Sequence, residues 1–193
     1  YPRPGELSLA HKGVLFLDEL PEFSRTTLET LRQPIESGAI TISRALMRCR
    51  FPAEVLVVCA MNPCPCGYYG DKRRECRCTH SQILRYMSRV SGPLLDRIDI
   101  HIEVPRVAYR ELRDERRGEG SERMREQVMA ARERQAQRFR DSRTSVNARM
   151  TNREIQRYCK LDSEAEALLG QAMGQHAFSA RSYTRILKVA RTI

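Results

Sequence analysis

Tryptophan is absent from this 193-residue chain, aromatic residues make up only 6% of it, and lysine occurs at just four positions, 12, 72, 160 and 188. No apolar run approaches the roughly 18 residues of a membrane span, and no basic-then-apolar leader opens the sequence. The expectation is a cytoplasmic protein with no membrane partner. Also missing is any Gly-x-x-x-x-Gly-Lys-Ser/Thr, since none of the ten glycines precedes Lys-Ser or Lys-Thr. No phosphate-cradling loop with its lysine can be read here. What is abundant is arginine. Thirty-four Lys and Arg against 24 Asp and Glu leave a formal charge of +10, carried mostly by guanidinium groups suited to bidentate phosphate contacts. That surplus favours a polyanionic partner without identifying it. Hydrophobic residues at 41% and charged residues at 30% are otherwise the balance of a globular domain.

Periodicity divides the chain. The first part alternates strand-like and helix-like segments, and the second half is helical throughout. Val14 to Leu17 is a short apolar run of the kind found in a parallel strand covered on both faces. Ser24 is placed to cap a helix from Arg25, with Leu28, Leu31 and Ile35 at helical spacing and Gly38 as the stop. Residues 39–43 and 46–51 pattern as a hairpin bearing Arg44, Arg48 and Arg50. Val55 to Ala60 is a second buried-strand run, and a third strand is expected over Ile98 to Val104. Beyond Arg106 a charged helical stretch is broken near Gly118 and Gly120, a long Arg/Glu-rich helix runs to about Arg140, and three compact helices follow from Thr151, Ser163 and Ser179. The fold class is α/β, the second half of a nucleotide-binding core followed by a helical domain.

The most informative stretch is GVLFLDEL. An apolar strand ending in Asp-Glu puts two carboxylates at the carboxyl end of a sheet strand, where open α/β sheets bind ligands. This is the Walker B arrangement of nucleotide triphosphatases: Asp18 would hold Mg2+ and Glu19 would orient and polarise the attacking water. Asn62, just past the second strand run, could reach the same edge and position that water, although Asn before Pro also serves as a turn former. Arg97, in PLLDRID, could stabilise transition-state charge from a neighbouring subunit, or be an ordinary surface residue. Arg181, opening the last helix, could reach nucleotide phosphates, or form a salt bridge at a helix start.

Taken in this order, PRPGELSLAHKGVLFLDELPEF, LRQPIESGAITISRA, FPAEVLVVCAMNPCPCGYYGD, SGPLLDRIDIHIEVPR and FSARSYTRILKVARTI resemble the signature blocks of the AAA+ ATPases. Within these they resemble the magnesium-chelatase-like group and its competence-associated ComM (YifB) branch, and the resemblance runs along essentially the whole chain. It implies a P-loop NTPase parallel-sheet core over residues 1–105 and an all-helical lid over 106–193. It also implies ATP and Mg2+ as cofactors and a ring, hexameric in the full-length protein, that works on single-stranded or branched DNA as a helicase or branch-migration motor. By position, Asp18 and Glu19 become the Walker B pair, Asn62 the first sensor, Arg97 the arginine finger and Arg181 the second sensor. Residues 39–51 become a pore-facing hairpin whose Arg44, Arg48 and Arg50 are DNA contacts. The absent phosphate loop lies upstream of Tyr1 in this family, so the chain is expected to be a carboxy-terminal part that turns over ATP negligibly alone. The alternative is a chelatase-like or chaperone-like ATPase that remodels a protein partner, and a third reading is a zinc-stabilised binding module.

Cysteine gives a separate signal. Four of the seven cysteines form two close pairs, Cys64-Pro-Cys66 and Cys76-Arg-Cys78. Four thiolates can close tetrahedrally on one zinc ion, with His80 as a substitute ligand. Free thiols in a loop are the competing reading, because CxC is less common than CxxC in zinc sites. Cys49, Cys59 and Cys159 have no pairing pattern and are read as packing residues.

Overall fold

A computed structural model of the chain describes residues 2–44, 47–107, 113, 118–176 and 178–193, with Arg44 described in its backbone alone. They form two units, Tyr1–Arg106 and Val107–Ile193. In the first, a short helix α1 (Glu6–Leu9) leads to β1 (Val14–Leu17), α2 (Arg25–Ser37), the hairpin strands β2 (Ala39–Arg44) and β3 (Met47–Pro52), β4 (Leu56–Cys59), α3 (His80–Met87) and α4 (Gly92–Leu95).

β1 and β4 run parallel, in register from Val14 opposite Leu56 to Leu17 opposite Cys59. Their starts are pinned by main-chain chemistry around Glu54. The Lys12 N–H donates to the Glu54 carbonyl (2.7 Å), the Glu54 N–H donates to His11 Nδ1 (3.0 Å), and the Lys12 ammonium pairs with the Glu54 carboxylate. Between the strands, α2 has the bounds its sequence predicts. Ser24 Oγ accepts the Thr27 N–H (3.1 Å), and Gly38 stops the helix at φ 65°, a left-handed conformation that glycine adopts without a Cβ penalty. Leu28 and Leu31 on α2 pack with Leu20, Val90 and Leu94 into the core of this unit, with Leu17 and Cys59 against it. Ser91 links α2 to α4: its hydroxyl donates to Glu29 (2.5 Å) while accepting the Leu94 N–H (3.4 Å) as the α4 cap. Glu29 is held below the usual carboxylate range by that hydroxyl first and then by Arg32.

Two expectations need correction. The β1/β4 pair is not covered on both faces. Side chains alternate along a strand, and the outward set, Val14, Phe16, Leu56 and Val58, stays exposed, Phe16 at 59%. Leu17 and Cys59 point to the core side, and nothing among the described residues covers the other. The strand expected over residues 98–104 is also not formed. This segment leaves α4 through a turn, with the Ile98 N–H on the Leu95 carbonyl (2.9 Å), and then runs without ladder bonds. A strand needs a neighbour's N–H and C=O groups. None is supplied among the described residues, and Val104 stands 86% exposed.

The second unit contains α5 (Ser121–Arg138), a 3-10 turn at Asn147–Arg149, α6 (Asn152–Tyr158), α7 (Ser163–His176) and α8 (Ala180–Ala190). The charged helical stretch expected just after Arg106 falls largely outside the described residues. α6 opens with a reciprocal cap, Thr151 Oγ1 accepting the Glu154 N–H (3.4 Å) and Glu154 accepting the Thr151 N–H (2.7 Å). Phe139, Met150, Ile155 and Leu187 form the core, and Phe139 meets Tyr158 edge-on with ring centroids 5.7 Å apart. Among the described residues, no helix is long and apolar enough to cross a membrane.

Candidate functional site

The parallel pairing of β1 and β4 decides which residues share an edge. The ladder continues one step past the strands, the Ala60 N–H donating to the Leu17 carbonyl (2.9 Å) and the Leu20 N–H to the Ala60 carbonyl (3.0 Å). Asp18, Glu19 and Asn62 therefore emerge at one end of the sheet, all three exposed. Glu19 sits in the left-handed region at φ 49°, which is costly for a residue with a Cβ and recurs at functional turns. Its N–H donates to Asp18 Oδ1 (2.8 Å), fixing that carboxylate. The donors here are open, hard carboxylate oxygens, the ligand chemistry that suits Mg2+ with part of its water shell retained. The residues present fit that ion.

Helix α3 braces this edge, a role the sequence did not disclose. Tyr86 is buried on this helix beside the Asn62 backbone, and burial above all, with Glu22 and Glu19 nearby, raises its pKa. Arg89 donates to the Pro21 carbonyl (3.1 Å) and pairs with Glu22 (3.2 Å), tying α3 to the turn after Glu19. The available signal was spacing: Ile83, Tyr86 and Val90 share one helical face, and a phenol buried on it needs a polar partner.

Arg97 lies away from solvent, its side chain only 9% exposed. It pairs with Glu36 (3.1 Å) and donates to the Arg32 carbonyl (3.2 Å) at the end of α2. Arg181 is exposed in the first turn of α8, in the other unit. On the hairpin, Arg48 and Arg50 lie opposite Ser43 and Thr41. These four side chains are exposed, whereas the alternate positions Ile42, Cys49 and Phe51 are half-buried. The hairpin thus has one polar face carrying two guanidiniums. The Arg44 side chain lies outside the described residues; its backbone ends β2 opposite Met47.

Past Asn62 the chain enters the cysteine loop. The sulfurs of Cys64, Cys66, Cys76 and Cys78 all lie within 4.8 Å of one another, Cys64 being fully buried. His80 opens α3 and is not part of this group. The Cys66 thiol is held below its ordinary range, to about 6, above all by the backbone of Tyr68 and of Arg77. The other cysteines behave as packing residues; burial pushes the Cys59 and Cys159 thiols up.

The family model described as "Magnesium chelatase, subunit ChlI" matches residues 1–112, and the one for the ChlI C-terminal region matches residues 118–193. Over all 193 residues the chain is 48% identical to Competence protein ComM of Haemophilus influenzae and 48% identical to the uncharacterized protein YifB of Escherichia coli K12. Over 188 residues, 97% of the chain, it is 37% identical to an uncharacterized protein of Mycobacterium tuberculosis. In each case the chain spans 37% of the relative's length. Both units thus find their counterparts in the same order in one kind of protein, and the chain belongs to the magnesium chelatase family.

Proposed function

We propose that this chain is the Walker B, sensor and lid portion of an ATP-hydrolysing AAA+ motor that assembles as a hexameric ring and acts on single-stranded or branched DNA. The observation that carries the ATPase reading is the parallel β1/β4 ladder, which delivers Asp18, Glu19 and Asn62 to one open sheet edge. Bound Mg2+ and ATP supply the electrophilic terminal phosphate and a leaving diphosphate. Asp18, oriented by the Glu19 N–H, holds the metal side of the site. The Glu19 carboxylate, carried out on its left-handed turn, orients a water and draws on its proton. Asn62, whose backbone lies beside the buried Tyr86, directs an amide at that water. Arg181 is assigned to nucleotide phosphates through its lid helix. Arg97 is assigned to a neighbouring subunit's phosphate, a role that requires it to leave Glu36.

DNA is favoured over a protein substrate by the exposed face of the hairpin, where Arg48 and Arg50 stand about 7 Å apart along β3. The name of the Haemophilus relative, a competence protein, is consistent with work on DNA. The test is ATP hydrolysis by the full-length protein with and without forked DNA. Glu19→Gln is expected to lower turnover by about 10²–10⁴-fold, the usual cost of removing a general base. Unchanged turnover in that variant sinks the site assignment. DNA-independent turnover that is still lost in it keeps the ATPase and transfers the substrate to a remodelled protein. Replacing Arg48 or Arg50 by Ala is expected to weaken DNA binding and flatten its salt dependence by about one unit of slope each.

A further inference from the structure

We propose that Cys64, Cys66, Cys76 and Cys78 form a tetrahedral four-thiolate site for one structural zinc ion, which clamps the loop between Asn62 and α3. The spacing is that of ligands on one metal atom. With zinc–sulfur bonds of about 2.3 Å, the sulfur–sulfur edges of a tetrahedron are about 3.8 Å. The observed contacts are 3.4 Å for Cys64 to Cys66, 3.6 Å for Cys66 to Cys76 and 3.7 Å for Cys64 to Cys76. A disulfide would need about 2.05 Å and would leave two sulfurs over. A cluster of two or more irons spreads its thiolates over different metal atoms, which a group spanning no more than 4.8 Å does not do.

The surroundings are built for anionic sulfur. The turn that follows the first pair is shaped to bring sulfurs together. The Gly67 N–H returns to the Cys64 carbonyl (3.0 Å), with Gly67 at φ 79°, where a Cβ is disfavoured. Four thiolates on one Zn2+ leave a site of net charge −2. Lys72, Arg73, Arg74 and Arg77 flank the second pair, and Arg77, Arg85 and Arg89 line the pocket that opens on Cys66 and Cys78. Part of the arginine surplus thus faces the thiolates and offsets their charge.

The clamp joins the two ends of the loop. Cys64 lies two residues beyond Asn62, and Cys78 immediately precedes Thr79, whose hydroxyl caps α3. Metal binding fixes both ends at once and removes the loop's freedom. The basic loop also supplies its own readout, because trypsin cuts after Lys72, Arg73, Arg74 and Arg77 once the loop is loose.

The experiment uses the full-length protein. Metal analysis of the purified protein is expected to give one zinc per chain, lost on dialysis against a strong chelator under reducing conditions. Adding Co2+ to the stripped wild type should produce a sulfur-to-cobalt charge-transfer band with the strong visible bands of a tetrahedral tetrathiolate. Stripping should expose the 72–77 segment to trypsin, and zinc should restore protection. A Cys76→Ser, Cys78→Ser double variant should bind no zinc, whereas Cys49→Ser should keep it. Metal-free protein whose four thiols react with a disulfide reagent at the same rate as Cys49 overturns the site. So does zinc that persists in the double variant, or a cobalt spectrum without thiolate charge transfer. None of these readouts depends on ATP turnover, so the site stands or falls separately from the motor assignment.

Discussion

The helical unit closes a small core around one satisfied polar hub, and the α/β unit leaves one face of its sheet open among the described residues. In the helical unit Asn147, only 1% exposed, is satisfied on every side. Its N–H donates to Gln135 Oε1 (2.8 Å), its Oδ1 accepts from Arg138 (2.5 Å), and its Nδ2 donates to the Arg191 carbonyl (3.3 Å) and to Thr192 (3.0 Å). Around this hub the Phe139, Met150, Ile155 and Leu187 core closes. In the α/β unit the two-stranded parallel sheet leaves one apolar face and the segment through Ile100, Ile102 and Val104 uncovered among the described residues. The contrast follows from hydrogen-bond bookkeeping. A helix pairs its backbone within itself, so a few helices and one polar hub suffice, whereas a strand depends on neighbours and a sheet face on a covering layer. The exposed carboxylates of Asp18 and Glu19 and the four-cysteine group both lie in the less complete unit.

The sharpest way to break this contrast is Glu19→Gln. Its loss of about 10²–10⁴-fold in ATP turnover should leave the unfolding of the helical unit unchanged, as read by its own denaturation transition. Next, Asn147→Ala should cost the helical unit about 2–4 kcal/mol in urea denaturation, because Arg138 and the Arg191 carbonyl lose a buried partner. A change below about 0.5 kcal/mol would show that the hub is incidental. Within the α/β unit, Leu28→Ala should cost about 2–5 kcal/mol, since the side chain is 1% exposed in the core. Phe16→Thr on the open face should cost little on the chain alone, about 0.5 kcal/mol. A large loss for Phe16→Thr in the full-length protein would mean that this face is covered there. The smallest expected effect concerns Glu154, whose pKa falls to about 2 through the Thr151 N–H first and then the Ser142 hydroxyl. A carboxyl lowered below its ordinary value of 4.5 contributes stability that is present above that value and lost as pH falls toward 2. The helical unit should therefore weaken across that acid window, and Glu154→Gln should flatten the dependence. An acid limb identical in the variant would assign it to other groups.

Much of the local structure was written in the order of residues. Ser24 and Gly38 bound α2, and Thr151 and Ser179 cap their helices as the sequence predicts, because caps and periodicity act over a few residues; at α7 the cap falls one residue earlier than expected, Asp162 accepting the Ala165 N–H (2.8 Å) while Ser163 lies inside the helix. The two CxC pairs flagged the four cysteines that the fold brings together. The Ile98–Val104 segment was read as a strand for a local reason as well, its apolar alternation, but pairing is not local. The same limit hid the placement of Tyr86 beside the Asn62 backbone, since nothing near Tyr86 in sequence points to a residue 24 positions earlier.

By itself, then, the sequence singled out the candidates for chemistry: the Asp18–Glu19 pair, Asn62, the four cysteines and an arginine surplus. These are matters of side-chain type and short-range geometry. Tertiary structure alone decided that Leu17 and Cys59 share a register, so that Glu19 and Asn62 open on one edge. It also decided that Arg97 is packed on α2 with Glu36, and that four sulfurs separated by up to 14 residues converge within 4.8 Å. Each of these depends on groups far apart in the chain meeting in space, which no local preference encodes.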